Sequence, residues 1–194
     1  MIPEPTWSAY YEANEDRAPR EELIDVLGRF PRAGSAVDLG CGAGIDTLAM
    51  LDHGWRVLAI DAEPGAIDRL RSRAGDHSAL RTELSPMEDV VLPPVDLVWA
   101  SYSLFFCDPG RFPDVWGRIR AAIVPGGRFA GELLGDRDTW ASLADHTAID
   151  RPAAEVLFDG WTVERFEEEE NDGQSCGGPK HWHHFRVVAR APAA

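Results

Sequence analysis

Apolar and polar positions alternate with two different periods along this chain. Between residues 21 and 30, apolar side chains recur every three or four positions, which predicts an amphipathic helix that ends before Pro31. Short apolar runs at 36–39, 57–60 and 95–100 are bounded by turn residues, as is typical of buried parallel strands. Further helices are predicted at 45–53, 64–73 and 112–123, and further strands at 79–84 and 128–134. Strands that alternate with helices predict an α/β fold.

The C-terminal part of the chain departs from this alternation. Two more strands are predicted, at 161–167 and 181–190. The segment between them contains Gly173, Gly177, Gly178 and Pro179, which favour a loop. We therefore expect a long-looped antiparallel hairpin at the edge of the sheet, which would bring the sheet to seven strands. The acidic run at 167–170 is predicted to be a solvated strand end and loop, with attraction of a cationic or amine substrate as the alternative.

The first strand is followed at once by a glycine-rich turn. Gly40, Gly42 and Gly44 let the backbone turn sharply and approach a ligand without obstruction by a Cβ atom. The helix that follows would present its free amide groups to that ligand. Ile45 stands where a dinucleotide fingerprint has its third glycine, while Asp61, about twenty residues after the first glycine, can accept hydrogen bonds from ribose hydroxyls.

Several ordered segments together resemble the class I S-adenosylmethionine-dependent methyltransferases. They are the run Asp-Leu-Gly-Cys-Gly-Ala-Gly at 38–44, Ala-Ile-Asp at 59–61, Val-Asp-Leu-Val-Trp-Ala at 95–100 and Val-Pro-Gly-Gly-Arg-Phe at 124–129. A compact core with a short N-terminal lid is similar to the tellurite-resistance and small-metabolite members. The resemblance implies a three-layer Rossmann-like fold with a seven-stranded, mostly parallel sheet in the order 3-2-1-4-5-7-6, strand seven being reversed.

The resemblance also implies an activity and a set of contacts. The expected function is in-line methyl transfer from S-adenosylmethionine, with S-adenosylhomocysteine as product, to a small-molecule acceptor. Asp61 would hold the ribose, Asp38 the ammonium group, and the backbone at Gly40 and Gly42 the amino-acid part. The other implied cofactor contacts are Tyr11, Arg17, Cys41, Ala62, Met87, Glu88 and Ala100. Residues 1–32 would form a lid and helix, and residues 33–194 the methyltransferase core of a single structural domain.

The chemistry of the acceptor is less defined by the sequence. His181 and His183 would share one face of the last strand, where they are candidates for a base or an acceptor clamp; the alternative is that they cap an apolar core layer. Pocket walls are expected from the loop after strand four and the end of strand five. These wall residues are Tyr102, Ser103, Phe106, Glu132 and Asp136. The cysteines and histidines lack zinc spacing, so no metal site is predicted.

Composition limits the partners. The chain has 194 residues, 44% of them apolar, which suits one globular domain, and its formal net charge of −14 disfavours nucleic acid as a substrate. No apolar run approaches the length of a membrane span and the start of the chain lacks the pattern of a signal peptide, so we expect a cytoplasmic monomer or homodimer that binds neither nucleic acid nor membrane. Two alternatives to the methyltransferase remain: an NAD-type oxidoreductase on a similar sheet and a non-catalytic cofactor-binding module.

Overall fold

The computed structural model describes residues 7–14, 16–175 and 177–193, so that Cys176 lies outside it. The helices of these residues are α1 (Trp7–Ala13), α2 (Glu21–Gly28), α3 (Ile45–Asp52), α4 (Pro64–Ala74), α5 (Phe112–Ala122) and α6 (Arg151–Val156). The strands are β1 (Ser35–Leu39), β2 (Arg56–Asp61), β3 (Leu80–Leu84), β4 (Val95–Ala100), β5 (Ile123–Gly135), β6 (Ala148–Ile149), β7 (Thr162–Ser175) and β8 (Gly178–Arg190). No helix in this part of the chain combines the length and the apolar character that a membrane crossing requires.

The described strands form one sheet in the order β3-β2-β1-β4-β5-β8-β7, with β6 beside β5. Strands β3, β2, β1, β4 and β5 are parallel, whereas β8 is antiparallel to both β5 and β7. The predicted fold class and strand order are therefore confirmed. The extra strand β6, which pairs with β5 in parallel, was not predicted because two residues carry no periodic pattern.

Two apolar clusters cover the two faces of the sheet and make the fold three-layered. On one face, Val115 and Ile119 of α5 pack in the cluster that contains Val98 of β4. On the other face, α2, α3 and α4 pack in the cluster that contains Leu97 and Trp99. Successive residues of β4 thus enter opposite layers, as the period of two along a strand requires.

The predicted long loop in the C-terminal hairpin is wrong. Strands β7 and β8 pair without interruption, apart from one bulge, from Thr162↔Arg190 to Ser175↔Gly178. The acidic run lies inside β7 and its charges are paired: Glu168 contacts Arg137 and Arg151 at 2.7 Å each, and Glu169 contacts Arg186 at 2.8 Å. These partners come from other segments of the chain, so the tertiary structure overrides the low strand propensity of glutamate.

Candidate active site

The glycine turn after β1 requires glycine for two different reasons. Gly40, Gly42 and Gly44 all have φ between 53° and 80°, where a Cβ atom is strained. A Cβ atom on Gly40 would lie 2.3 Å from Ser103 Cβ, because the loop after β4 packs directly on the turn. Gly42 differs, since a Cβ atom added there would have Tyr11 Cε1 as its nearest neighbour, at 3.5 Å. The Tyr11 ring thus covers the Gly42 backbone at van der Waals distance.

Asp61 at the end of β2 is joined to this turn. Its Oδ2 accepts a hydrogen bond from the Gly42 amide at 2.8 Å, and its Oδ1 accepts one from the Glu63 amide at 2.9 Å. Burial raises the pKa of the carboxyl group, and these amides oppose the shift. Each carboxylate oxygen has two lone pairs, so Asp61 retains the capacity to accept two further donors. Ala62, the next residue, is exposed beside it.

Asp38 lies beneath the turn in β1. Its carboxylate accepts a hydrogen bond from the Thr47 hydroxyl of α3 at 2.5 Å. Burial raises the pKa of Asp38 to about 7, the nearby Asp46 and Asp61 charges add to this shift, and the Thr47 hydroxyl opposes it. Asp38 is consequently a titratable carboxyl group whose charge state changes near neutral pH.

Helix α1 covers the turn. Tyr11 is 4% exposed, and Trp7 stacks on it with 6.2 Å between ring centroids while its edge meets Phe106 at 5.1 Å. Burial and the charge of Asp61 raise the pKa of the Tyr11 phenol. The buried Cys41 thiol also lies close to Asp61, and burial raises its pKa as well. Helix α1 therefore lies across the glycine turn and reaches the loop after β4.

Arg17 is held by a residue that the sequence analysis did not single out. Its Nη1 donates to Asp46 Oδ1 at 3.2 Å. Asp46 also accepts hydrogen bonds from the Arg20 amide at 3.2 Å and from Trp99 Nε1 at 3.3 Å. This buried carboxylate fastens the segment after α1 to α3 and β4, and it places the Arg17 guanidinium at that junction.

Three other candidate contacts lie farther from the turn. Glu88 Oε1 accepts from the Asp108 amide at 2.9 Å, and Met87 packs against the core as a partly buried residue. The Ala100 carbonyl points toward β5, since a Cβ atom on Gly131 would lie 2.2 Å from its oxygen. The structure thus groups Tyr11, Cys41 and Asp61 around Gly42, whereas Met87, Glu88 and Ala100 have no described contact with that group.

His181 and His183 have contacts remote from the glycine turn. The His181 ring is about 38% exposed and lies 2.8 Å from Asp172 and 3.1 Å from Glu170. These carboxylates raise the pKa of His181 by hydrogen bonding. The buried His183 ring accepts from the Arg137 amide at 3.1 Å and packs against Phe185. Their described contacts lie in the hairpin and the segment after β5.

Several polar side chains surround Tyr102, which follows β4. The sequence analysis identified only some of them. Glu132 is 1% exposed, and its Oε2 accepts from the Tyr102 amide at 3.0 Å. Arg20 lies over the Tyr102 ring at 4.9 Å, and His184 Nε2 lies 3.4 Å from its hydroxyl group. Asp136, by contrast, lies 3.6 Å from His183 and is not among these contacts. The strand alternation that separates His184 from His183 was the sequence signal for this arrangement.

The comparisons with known proteins agree with this architecture. A family model described as a methyltransferase domain matches residues 36–127. A carboxy-S-adenosyl-L-methionine synthase of Pseudomonas aeruginosa (strain UCBPP-PA14) is 30% identical over 141 residues, which cover 66% of this chain and 56% of the relative. The chain thus spans just over half the length of that curated relative.

Solved structures resemble the chain over nearly its whole length. TehB from Haemophilus influenzae superposes with a TM-score of 0.79 at 15% identity, covering 95% of this chain and 66% of TehB. The Burkholderia thailandensis 1,6-didemethyltoxoflavin-N1-methyltransferase, with 1,6-didemethyltoxoflavin and S-adenosylhomocysteine bound, superposes with a TM-score of 0.69 at 20% identity, covering 96% and 85%. At these identities the likeness shows the fold. The family model and the sequence relatives agree with the resemblance of residues 36–127 to the class I S-adenosylmethionine-dependent methyltransferases.

Proposed function

We propose that this chain is an S-adenosylmethionine-dependent methyltransferase that methylates a small-molecule acceptor. The observation that carries the proposal is the hydrogen bond between the Gly42 amide and Asp61, at a turn that the Tyr11 ring covers. Backbone and carboxylate are thereby held together where an adenosine-containing cofactor would need both. The cofactor, when bound, supplies an activated methyl group.

The residues at this end of the sheet fit that cofactor. Asp61 has free lone pairs for the two ribose hydroxyl groups, and the ionised Asp38 would attract the ammonium group. We assign the backbone of Gly40, Cys41 and Gly42 to the amino-acid part. The remaining proposed cofactor contacts are Tyr11, Arg17, Ala62, Met87, Glu88 and Ala100.

The lid is assigned to residues 1–32 and the core to residues 33–194. Within the lid, Trp7 and Tyr11 of α1 cover the turn. Leu23, Val26 and Leu27 of α2 are buried in the core cluster, so α2 serves as an anchor for the segment that carries α1. Opening would then involve α1 while α2 stays packed.

The alternative of a dinucleotide-binding oxidoreductase conflicts with Ile45. This residue is 8% exposed at the start of α3, where the dinucleotide fingerprint has a glycine for close packing against the pyrophosphate. Calorimetric titration with S-adenosylmethionine, S-adenosylhomocysteine and NAD separates the two. We expect the first two to bind and NAD not to bind; tight binding of NAD alone would exclude the methyltransferase.

Substitution of Asp61 tests the assigned site. Asp61→Ala removes the carboxylate that faces the ribose, and we expect it to weaken binding of S-adenosylhomocysteine by about 1 to 3 kcal/mol, or about 5- to 150-fold. The matched control is Asp68→Ala, an exposed carboxylate on the neighbouring helix α4, which should leave affinity unchanged. Equal affinity of Asp61→Ala and the parent protein would refute the assignment.

A further inference from the structure

Four buried side-chain atoms in the described part of the chain have no hydrogen-bond partner. They are Arg20 Nε, Ser101 Oγ, His184 Nδ1 and Arg186 Nε. A buried polar atom without a partner costs free energy, so native proteins keep few of them and use them at functional sites. All four atoms belong to residues that adjoin or contact Tyr102 or Glu132. The unpartnered atoms are therefore grouped in one region of the structure.

This place adjoins the proposed cofactor site. Tyr102 has φ +51°, a strained conformation for a residue other than glycine, and directly precedes Ser103, which packs on Gly40. Arg20 Nε lies 3.4 Å from Asp46 and Arg186 Nε lies 3.7 Å from Glu132, as ion pairs without hydrogen-bond geometry. The unpartnered atoms therefore lie around the residues that follow β4, next to the loop that packs on the glycine turn.

The contacts of His184 define which of its ring nitrogens is free. Its Nε2 lies 3.3 Å from Glu169 Oε2, and an ionised carboxylate only accepts hydrogen bonds. This carboxylate favours the neutral tautomer with the proton on Nε2, which leaves a lone pair on the buried Nδ1. A carboxylate that fixes the tautomer of a histidine in this way is how a general base is oriented in other enzymes.

Charged groups from several elements face the His184 ring. Burial lowers its pKa; Glu169 of β7 and Asp138 after β5 oppose this shift, while Arg186 and His183 of β8 add to it. Tyr102 at the end of β4 supplies a hydroxyl group 3.4 Å from Nε2. With burial as the largest influence, the ring is neutral at neutral pH and can accept a proton.

We propose that His184 is the catalytic base and that the acceptor is a small planar compound bearing an acidic hydroxyl group, such as a phenol. This inference rests on the proposed function, and in it His184 takes the place of His181 and His183 as the candidate base. His184 Nδ1 takes the hydroxyl proton, and the positive charges of Arg20 beside Tyr102 and of Arg186 beside His184 favour the resulting oxyanion. The oxygen gains the methyl group, the C–S bonding pair stays on sulfur, and the imidazolium is paired with Glu169.

The walls of the site support a planar acceptor. The rings of Trp182 and Phe105 meet the Tyr102 ring at 6.2 Å and 6.4 Å, both edge to face. Phe106 and Trp140 extend this aromatic surface toward the lid residue Trp7. A flat ring gains contact area on such a surface at little cost in conformational entropy.

The first test is independent of turnover. Nitrogen-15 NMR of the histidine rings in the protein with S-adenosylhomocysteine should show His184 neutral at pH 7, with the proton on Nε2 and none on Nδ1. His184→Gln assigns the signal. A ring protonated on Nδ1 or positively charged at this pH would overturn the inference, while the same sample shows by calorimetry whether the cofactor site itself exists.

The second test uses turnover of phenols whose acidity is graded by ring substituents, from 4-nitrophenol to 4-methoxyphenol. We expect His184→Ala to lower kcat for the weakly acidic phenols by about 100- to 10,000-fold, and much less for 4-nitrophenol, with partial rescue by added imidazole. Affinity for S-adenosylhomocysteine should stay unchanged. The control His77→Ala replaces an exposed histidine on the loop before β3 and should leave turnover unchanged.

Three results would overturn the inference without touching the proposed function. One is full turnover by His184→Ala with every phenol. Another is a loss on His181→Ala that exceeds the loss on His184→Ala. The third is the absence of turnover of every phenol by the parent protein while S-adenosylmethionine binds and some amine or thiol acceptor is methylated. Failure of S-adenosylmethionine to bind would instead refute the proposed function.

Discussion

The two ends of the candidate site are built in different ways. At the glycine turn, the amides are satisfied by the neighbouring strand β2: Gly42 donates to the Asp61 carboxylate, and the Gly40 and Cys41 amides both donate to the Ile60 carbonyl. Around Tyr102, side chains from α2's N-terminal flank, β5 and β8 converge, and several buried atoms lack partners. The amides of the first end are satisfied without a ligand, whereas buried atoms of the second lack partners. The first end follows a sequence motif and the second does not, so the sequence indicates the cofactor class but not the acceptor.

The largest loss in the free energy of unfolding is expected from a substitution beside Tyr102. Glu132→Ala removes a buried carboxylate that faces Arg186 and accepts from the Tyr102 amide. We expect a loss of about 3 to 4 kcal/mol in the free energy of unfolding, because a buried charge loses its partner; Glu169 still pairs with Arg186 and limits the loss. Urea denaturation measures it. Glu132→Gln retains an oxygen for the Tyr102 amide and should cost less, so equal losses would contradict this account.

A smaller loss in the free energy of unfolding is expected from a substitution in the glycine turn. Gly40→Ala adds a Cβ atom at φ +77° and 2.3 Å from Ser103 Cβ. Strain and overpacking together should lower the free energy of unfolding by about 2 to 3 kcal/mol. Gly65→Ala on α4 is the matched control, since its Cβ atom would meet nothing within 4 Å and should stabilise the helix by up to about 1 kcal/mol. A neutral Gly40→Ala would show that the turn can relax.

Cofactor binding should depend on pH through Asp38. The pKa of its carboxyl in the folded protein is raised to about 7, so the proton-bound form is favoured as pH falls and the ammonium group loses its partner. Affinity for S-adenosylhomocysteine should therefore rise with pH below 7, by up to about tenfold per unit, equivalent to about 1.4 kcal/mol, and level off above. Calorimetry in two buffers should detect the released proton. In Asp38→Asn this slope should vanish; an unchanged slope would locate the titration elsewhere.

The raised pKa of Asp38 also fixes the sign of its contribution to stability. Because the folded protein holds this proton more tightly than the unfolded chain, the contribution is fully present below the unfolded pKa near 4 and is lost as pH rises toward 7. Asp38→Asn should flatten this part of the pH profile of unfolding without ligand.

The smallest effect is expected from the lid. Trp7 is 38% exposed and contacts Tyr11 and Phe106 through its ring. Trp7→Ala should lower the free energy of unfolding by less than about 1 kcal/mol, and Trp7→Phe by less still. Thermal denaturation with and without S-adenosylhomocysteine measures both. A larger loss in the ligand-free protein would show that α1 is part of the core rather than a cover.

The sequence patterns predicted β1, β2 and β4 well because each contains a short apolar run bounded by turn residues. They failed at the hairpin, where the pairing of Glu168 with Arg137 and Arg151 depends on segments that are distant in sequence. The histidine pattern predicted two faces of β8 correctly, with His183 in the layer of Phe185. The environment of His184 was not predictable, because its neighbours Tyr102, in the turn after β4, and Glu169, in β7, are distant in sequence.

By itself the sequence predicted the alternation of strands and helices and the glycine turn, because these depend on local backbone geometry and on periodic burial; the sheet order came from the resemblance to a known family. Only the tertiary structure decided which polar side chains meet at Tyr102, that Arg17 pairs with Asp46, and that His184 has a buried ring nitrogen without a partner. Such contacts join residues that are up to 82 positions apart, as Tyr102 and His184 are. Their energies depend on burial and on neighbouring charges, which no local pattern encodes.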